Sequence, residues 1–227
     1  MGLKIKSLGY ALYLYENGDQ FCILFYDKIM KLILILKGGI VTKTASLIDF
    51  GQWVDPTLRM ADKGDVLEFH IQDALNYHGY DAVGGVVLGF RLLQKTMAHF
   101  FASTTQTFLQ RRGLSLLTAF PGLGARDCFE LITRMVTDGR MVVNTGLAHP
   151  AAQEGVEGQF FFEFVYEGRS VQLAPIEAYP GDAFIALGKA SKLPHFSQIQ
   201  QQAWRNAKYA LANTLLAADA QTVIRVL

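Results

Sequence analysis

At 227 residues and 51% hydrophobic, the chain has enough apolar material for one large domain, or a domain with an added segment. A formal charge of +1 gives no reason to expect nucleic acid or an anionic membrane as partner. The two cysteines, Cys22 and Cys128, lie far apart with no Cys-x-x-Cys pair, which excludes a disulfide scaffold and a zinc knuckle and suits a reducing compartment.

The most apolar stretch, Phe21 to Val41, is cut by Asp27, Lys28, Lys31 and Lys37. Its unbroken run Leu32 to Leu36 is far short of the roughly 20 residues a membrane span needs. The expectation is a soluble, cytoplasmic protein.

In chain order, residues 8 to 26 read as a hairpin, with Asn17-Gly18 between two β-rich runs because both residues tolerate positive φ. Lys31 to Leu36 adds a third strand before Gly38-Gly39. Residues 45 to 65 are turn-rich, and Val66 to Tyr77 reads as a helix with Leu67, Ile71, Ala74 and Leu75 on one side.

A second helix starts near Gly85, with Val86, Phe90, Leu93, Met97 and Phe100 at helical spacing. Arg111-Arg112-Gly113 is expected to end this long helical region, cations at its C-terminus. Leu114 to Phe120 reads as a buried strand, Arg126 to Thr137 as a third helix, Arg140 to Asn144 as a short strand, and 145–158 as an exposed loop.

Gln159 to Tyr166 alternates, with Phe160, Phe162, Phe164 and Tyr166 on one face, and Glu167-Gly168 turns it into Arg169 to Ile176. Ala183 to Leu187 reads as a helix capped by Asp182. The last helix starts at Ser197, with Gln200 completing a capping box, and packs through Ile199, Ala203, Ala207, Leu211, Thr214 and Leu215. The fold class is therefore α+β, with a mixed, mostly antiparallel sheet packed against several helices. Residues 1–44 read as an appendage, 45–194 as the main domain and 195–227 as a C-terminal helix packing on it.

The stretch Tyr77 to Arg91 concentrates the candidate chemistry. His78 and Asp81 are three residues apart beside glycines, a pattern that serves acid/base work or metal ligation. Gly84 and Gly85 open a helix whose free N–H groups suit an anionic ligand. The bland reading makes Asp81 a helix cap and the glycines a turn. His70 with Asp73, His99, His149 and His195 are weaker candidates, read as a solvated pair, a packing residue, a loop residue and a helix-entry residue. Pro121-Gly122-Leu123-Gly124-Ala125 lacks the Lys-Ser/Thr of a phosphate-binding loop.

His78-Gly79-Tyr80, Gly84-Gly85, Leu88-Gly89-Phe90-Arg91, Asp127 to Thr133 and Gly139-Arg140-Met141 together resemble the FmdE-like family, over roughly residues 66 to 176. Its members belong with the molybdenum- and tungsten-dependent formylmethanofuran dehydrogenases. The family carries His-Gly-His-x-Cys-Pro-Gly followed by an apolar stretch ending Leu-Gly-x-Arg. The resemblance implies an α+β domain with a divalent transition metal, zinc, held near the His78 loop. Here Tyr80 replaces the second histidine, Ala82 or Val83 the cysteine, and Gly124 or Ala125 a downstream cysteine, so His78 alone carries over as a metal ligand. The resemblance also implies that the His78 loop and the Asp127 helix start lie close together, and Tyr80, Asp81, Asp127 and Cys128 then form a replacement constellation around His78.

Three functional expectations follow. The chain binds a metal ion or a small ligand near the His78 loop, with Tyr80, Gly84, Gly85 and Cys128 as ligand-binding residues. Alternatively, it is an enzyme using His78 with Asp81 or Asp127 as acid and base on a small molecule. In the third reading it is an accessory protein whose aromatic faces, Phe160 to Tyr166 and the Tyr-rich hairpin, pack against a second copy in a homodimer.

Overall fold

The computed structural model describes the backbone of strands within residues 4–46, and residues 57–102, 108–177 and 179–227 with their side chains. The chain divides into two units, Met1–Gln52 and Trp53–Leu227.

The first unit holds an antiparallel meander of five strands in sequence order, β1 (Lys4–Leu8), β2 (Ala11–Glu16), β3 (Asp19–Tyr26), β4 (Ile29–Leu36) and β5 (Gly39–Ser46). The expected hairpin is β2 with β3, in which Glu16 opposes Asp19. The Asn17-Gly18 turn, Gly38 and the side chains of this unit, Cys22 and the hairpin tyrosines included, lie outside the described residues.

The second unit opens with a hairpin of β6 (Thr57–Asp62) and β7 (Asp65–His70). Lys63 and Gly64, at φ 54° and 100°, turn it, as a two-residue hairpin loop requires. This corrects the expected helix from Val66. The first helix, α1, is only Ile71–His78, because Leu58, Met60 and Phe69 are buried by strand pairing before the helical face of Ile71, Ala74 and Leu75 begins.

Helix α2 (Val83–Phe101) is the centre of the unit and is buried on nearly every side from Val86 to Leu93. It is packed by α1, by α3 (Leu123–Thr133) and by α5 (Gln198–Ala217). Arg111 and Arg112 do not end it. Arg111 instead donates to the carbonyl oxygens of Leu131 and Ile132, so its charge complements the C-terminus of α3.

The sheet runs in the order β12-β11-β10-β8-β9, built from β8 (Ser115–Thr118), β9 (Met141–Val143), β10 (Phe162–Tyr166), β11 (Arg169–Pro175) and β12 (Ile224–Val226). Only β8 with β9 is parallel, so the sheet is mixed and mostly antiparallel. Glu167 and Gly168, both at positive φ, form the expected turn between β10 and β11. The edge strand β12 has no counterpart in the sequence reading.

Phe160, Phe162, Phe164 and Tyr166 are all at most 3% exposed. Phe129 of α3 meets Phe162 and Phe164 edge-on, and Phe100 of α2 meets Tyr166. Helices of the same chain thus cover the aromatic face, and it needs no second copy to bury it. Phe161, on the opposite side, packs with Ala119 and Ala152.

Helix α4 (Asp182–Ala190) has Gly181, not Asp182, as its N-cap. Helix α5 starts at Ser197 with the full capping box to Gln200, but its buried residues are Tyr209, Ala212, Leu215 and Leu216, while Ile199 is 83% exposed. A short helix, α6 (Ala220–Val223), leads into β12. Among the described residues no helix is long and apolar enough to cross a membrane.

Candidate functional site

Helix α1 is fixed at both ends. The His70 N–H donates to Asp73 Oδ2 at 2.8 Å, and Gly79, at φ 84°, sends its N–H back to the Leu75 carbonyl. His70 and Asp73 therefore start a helix and are not a ligand pair. This frame places His78, the last residue of α1, against the second turn of α3.

There His78 Nδ1 lies 2.8 Å from Asp127 Oδ2. The imidazole is 10% exposed and the carboxylate 27%, and Arg126 Nη1 stands 3.5 Å from the other carboxylate oxygen. An ionised carboxylate only accepts, so Nδ1 carries the shared proton and, in the neutral ring, Nε2 keeps a lone pair. This is the orientation a proton-transferring histidine needs.

The other members of the expected constellation are elsewhere. Asp81 is fully exposed and faces Lys208, 3.6 Å from its Nζ. The Tyr80 hydroxyl accepts from Gln72 Nε2, and its carbonyl accepts from the Tyr209 hydroxyl. Cys128 is on the buried face of α3, against Gly89 of α2, where burial pushes its thiol pKa far up, so it serves packing as a protonated thiol.

Gly84 and Gly85 do open α2, and their first task is close packing. A Cβ on Gly84 would sit 3.1 Å from the Lys208 carbonyl oxygen, and one on Gly85 would sit 3.4 Å from the Ala125 nitrogen. A Cβ on Gly124 would come within 2.5 Å of the Ala82 carbonyl oxygen. The N-termini of α2 and α3 touch through backbone because these positions carry no side chain.

Beside that contact is a cavity of about 370 Å³. Ala82, Gly84, Gly85 and Leu88 of the α2 segment and residues 120–124 form two walls. Trp204, Lys208 and Leu211 of α5 form a third, and Glu157, Phe160, Phe184, Ser191 and Lys192 also line it, with Phe184 and Trp204 4.6 Å apart between ring centroids. Neither α2 nor α3 has a side-chain cap or an acid in its first turn. His78 and Asp127 are not in the lining, but they stand on the same two segments, four residues before Ala82 and three after Gly124.

The sequence reading missed Phe120, Phe184, Trp204 and Lys208. The available signal was the spacing of Trp204, Lys208 and Leu211, which puts them on one stripe of α5. The remaining histidines are accounted for locally. His149 stacks on Phe161, His99 meets Phe100 edge-on, and His195 is exposed.

The residues present do not fit a zinc centre of the implied kind. Among the described residues no three His, Cys, Asp or Glu side chains converge, and His78 with Asp127 makes only two protein donors where zinc takes three or four. No family model, curated protein or solved structure matches the chain.

Proposed function

We propose that the unit of residues 53–227, which over roughly residues 66–176 resembles the FmdE-like family, carries a site for a small organic ligand where the family has its metal motif. The cavity carries this reading. Its volume lies in the range of small-molecule sites, and its lining is mainly apolar and aromatic with few polar groups. At the positions where the family has cysteines stand Ala82 or Val83 and Gly124 or Ala125, none of them a metal donor, and Ala82 and Gly124 are part of the wall.

The reading is tested with indole-3-propionamide, a neutral aromatic probe, followed by saturation-transfer NMR and calorimetry. Binding to the wild type and its loss in Ser191→Trp, which fills the cavity from its Ser191 side, are expected. No binding, or unchanged binding in a folded Ser191→Trp, overturns the reading.

A second reading has its own observation. The 2.8 Å His78–Asp127 pair leaves Nε2 as a proton acceptor, on a chain segment that continues into the cavity wall at Ala82, which suits acid/base chemistry. Turnover of a ligand that binds, abolished in His78→Gln with binding intact, would carry this reading, whereas equal turnover in the variant would remove it.

A further inference from the structure

The cavity has an unbalanced charge. Of its polar lining residues, Glu157 and Lys192 neutralise each other at a well-exposed ion pair. Lys208 has no such partner within the lining. Its side chain is only 17% exposed, and its ammonium nitrogen lies 5.6 Å from the centroid of the Trp204 ring. Among the described residues its carboxylate neighbour is Asp81, outside the lining and fully exposed, 3.6 Å away. Water competes with so exposed a carboxylate for the lysine, and such pairs are weak.

A ligand carboxylate entering the cavity would meet Lys208 in a drier place than Asp81 does. The uncapped starts of α2 and α3, without acids in their first turns, bias the same side of the cavity toward negative charge. Phe120, Phe160, Phe184 and Trp204, in the same lining, offer flat apolar surface and no charge. One ligand with a ring and an anionic group satisfies both features.

Resting on the reading of the cavity as a small-ligand site, we infer that its ligand is an aromatic monocarboxylate. Its ring sits among Phe160, Phe184 and Trp204, and its carboxylate pairs with Lys208. Asp81 is then a placeholder, holding the lysine when the site is empty and yielding it to the ligand. That role accounts for an aspartate lying in full solvent beside a mostly buried lysine.

The experiment compares indole-3-propionate with indole-3-propionamide by calorimetry on the full chain, at low and high salt. The carboxylate is expected to bind the wild type at least about tenfold more tightly, the value of one charge-assisted contact. Lys208→Met should equalise the two probes, while Lys208→Arg keeps the preference. Asp81→Asn should tighten the carboxylate alone, by removing its competitor.

Equal affinity of the two probes for the wild type, or a preference that survives Lys208→Met, overturns the inference while the cavity reading stands on the amide. If neither probe binds, both the inference and the reading beneath it fall.

Discussion

His78 and Asp127 are 49 positions apart in the chain and 2.8 Å apart in space, Nδ1 to Oδ2. Two helix ends make this contact. Gly79 stops α1 so that His78 is its last residue, and the tight approach of α2 and α3 brings Asp127 beneath it. The pair is partly buried, so it should contribute measurably without dominating stability. His78→Ala and Asp127→Ala are each expected to cost about 1 kcal/mol, and the double variant less than their sum by about 0.5–1 kcal/mol. Urea unfolding of the four proteins gives the coupling directly. Strict additivity would mean that the two side chains do not interact in solution.

Gly124 is the position where the helix contact tolerates least. Any side chain there meets backbone, the Ala82 oxygen at 2.5 Å and the Val86 nitrogen at 2.9 Å, and backbone cannot swing aside as a side chain can. Gly124→Ala is expected to destabilise the protein by about 1–3 kcal/mol and to weaken any cavity ligand, because α2 and α3 must move apart. Gly79→Ala tests a different strain, a positive φ with open space around it, and should cost about 1 kcal/mol without touching the cavity. Thermal unfolding and ligand affinity measured on both variants separate the two effects.

What could be read from the sequence was what is decided locally. The Ser197/Gln200 capping box and the Glu167-Gly168 turn depend on a few adjacent residues, and the α+β class followed from the hairpin signals. Val66 to Tyr77 was misread because Leu67, Ile71 and Leu75 fit a helical stripe, while the Lys63-Gly64 turn had already committed residues 65–70 to a strand. Arg111 and Arg112 looked like helix-ending cations, yet the carbonyls that Arg111 serves belong to α3, twenty residues downstream. The cavity was illegible for the same reason. Its walls come from stretches as far apart as Ala82 and Leu211, and only the packing of α5 on α2 brings them together.

Glu130 is the buried carboxylate with a clear pH consequence. Burial pushes its pKa up, but the Thr137 hydroxyl and N–H, the Arg134 guanidinium and the Val136 N–H together outweigh burial and hold it below the ordinary glutamate value of 4.5. A depressed folded-state pKa adds stability that is complete above 4.5 and is lost as the pH falls through the lower folded value. Glu130→Gln should therefore destabilise the protein at pH 7 and flatten the acid side of its stability profile. A profile of unchanged shape below pH 4.5 would show that Glu130 is not the group responsible.

Arg91 ties the central helix to the wall of the cavity. Its Nε donates to the Leu215 carbonyl and its Nη2 to the Leu216 carbonyl, both at 2.9 Å, while Nη1 reaches Gln94 at 2.7 Å. The guanidinium thus holds the last turn of α5, whose carbonyls lack helical partners, and the arginine of the Leu-Gly-Phe-Arg motif acts here as a clamp. A lysine keeps the charge but cannot present this planar fork. Arg91→Lys is expected to cost about 1.5–3 kcal/mol, with amide exchange rising first in the last turn of α5. Because Trp204, Lys208 and Leu211 stand on the same helix, the variant should also bind cavity ligands more weakly while its sheet amides stay protected. Full stability in Arg91→Lys would show that charge alone, and not the fork, holds α5 in place.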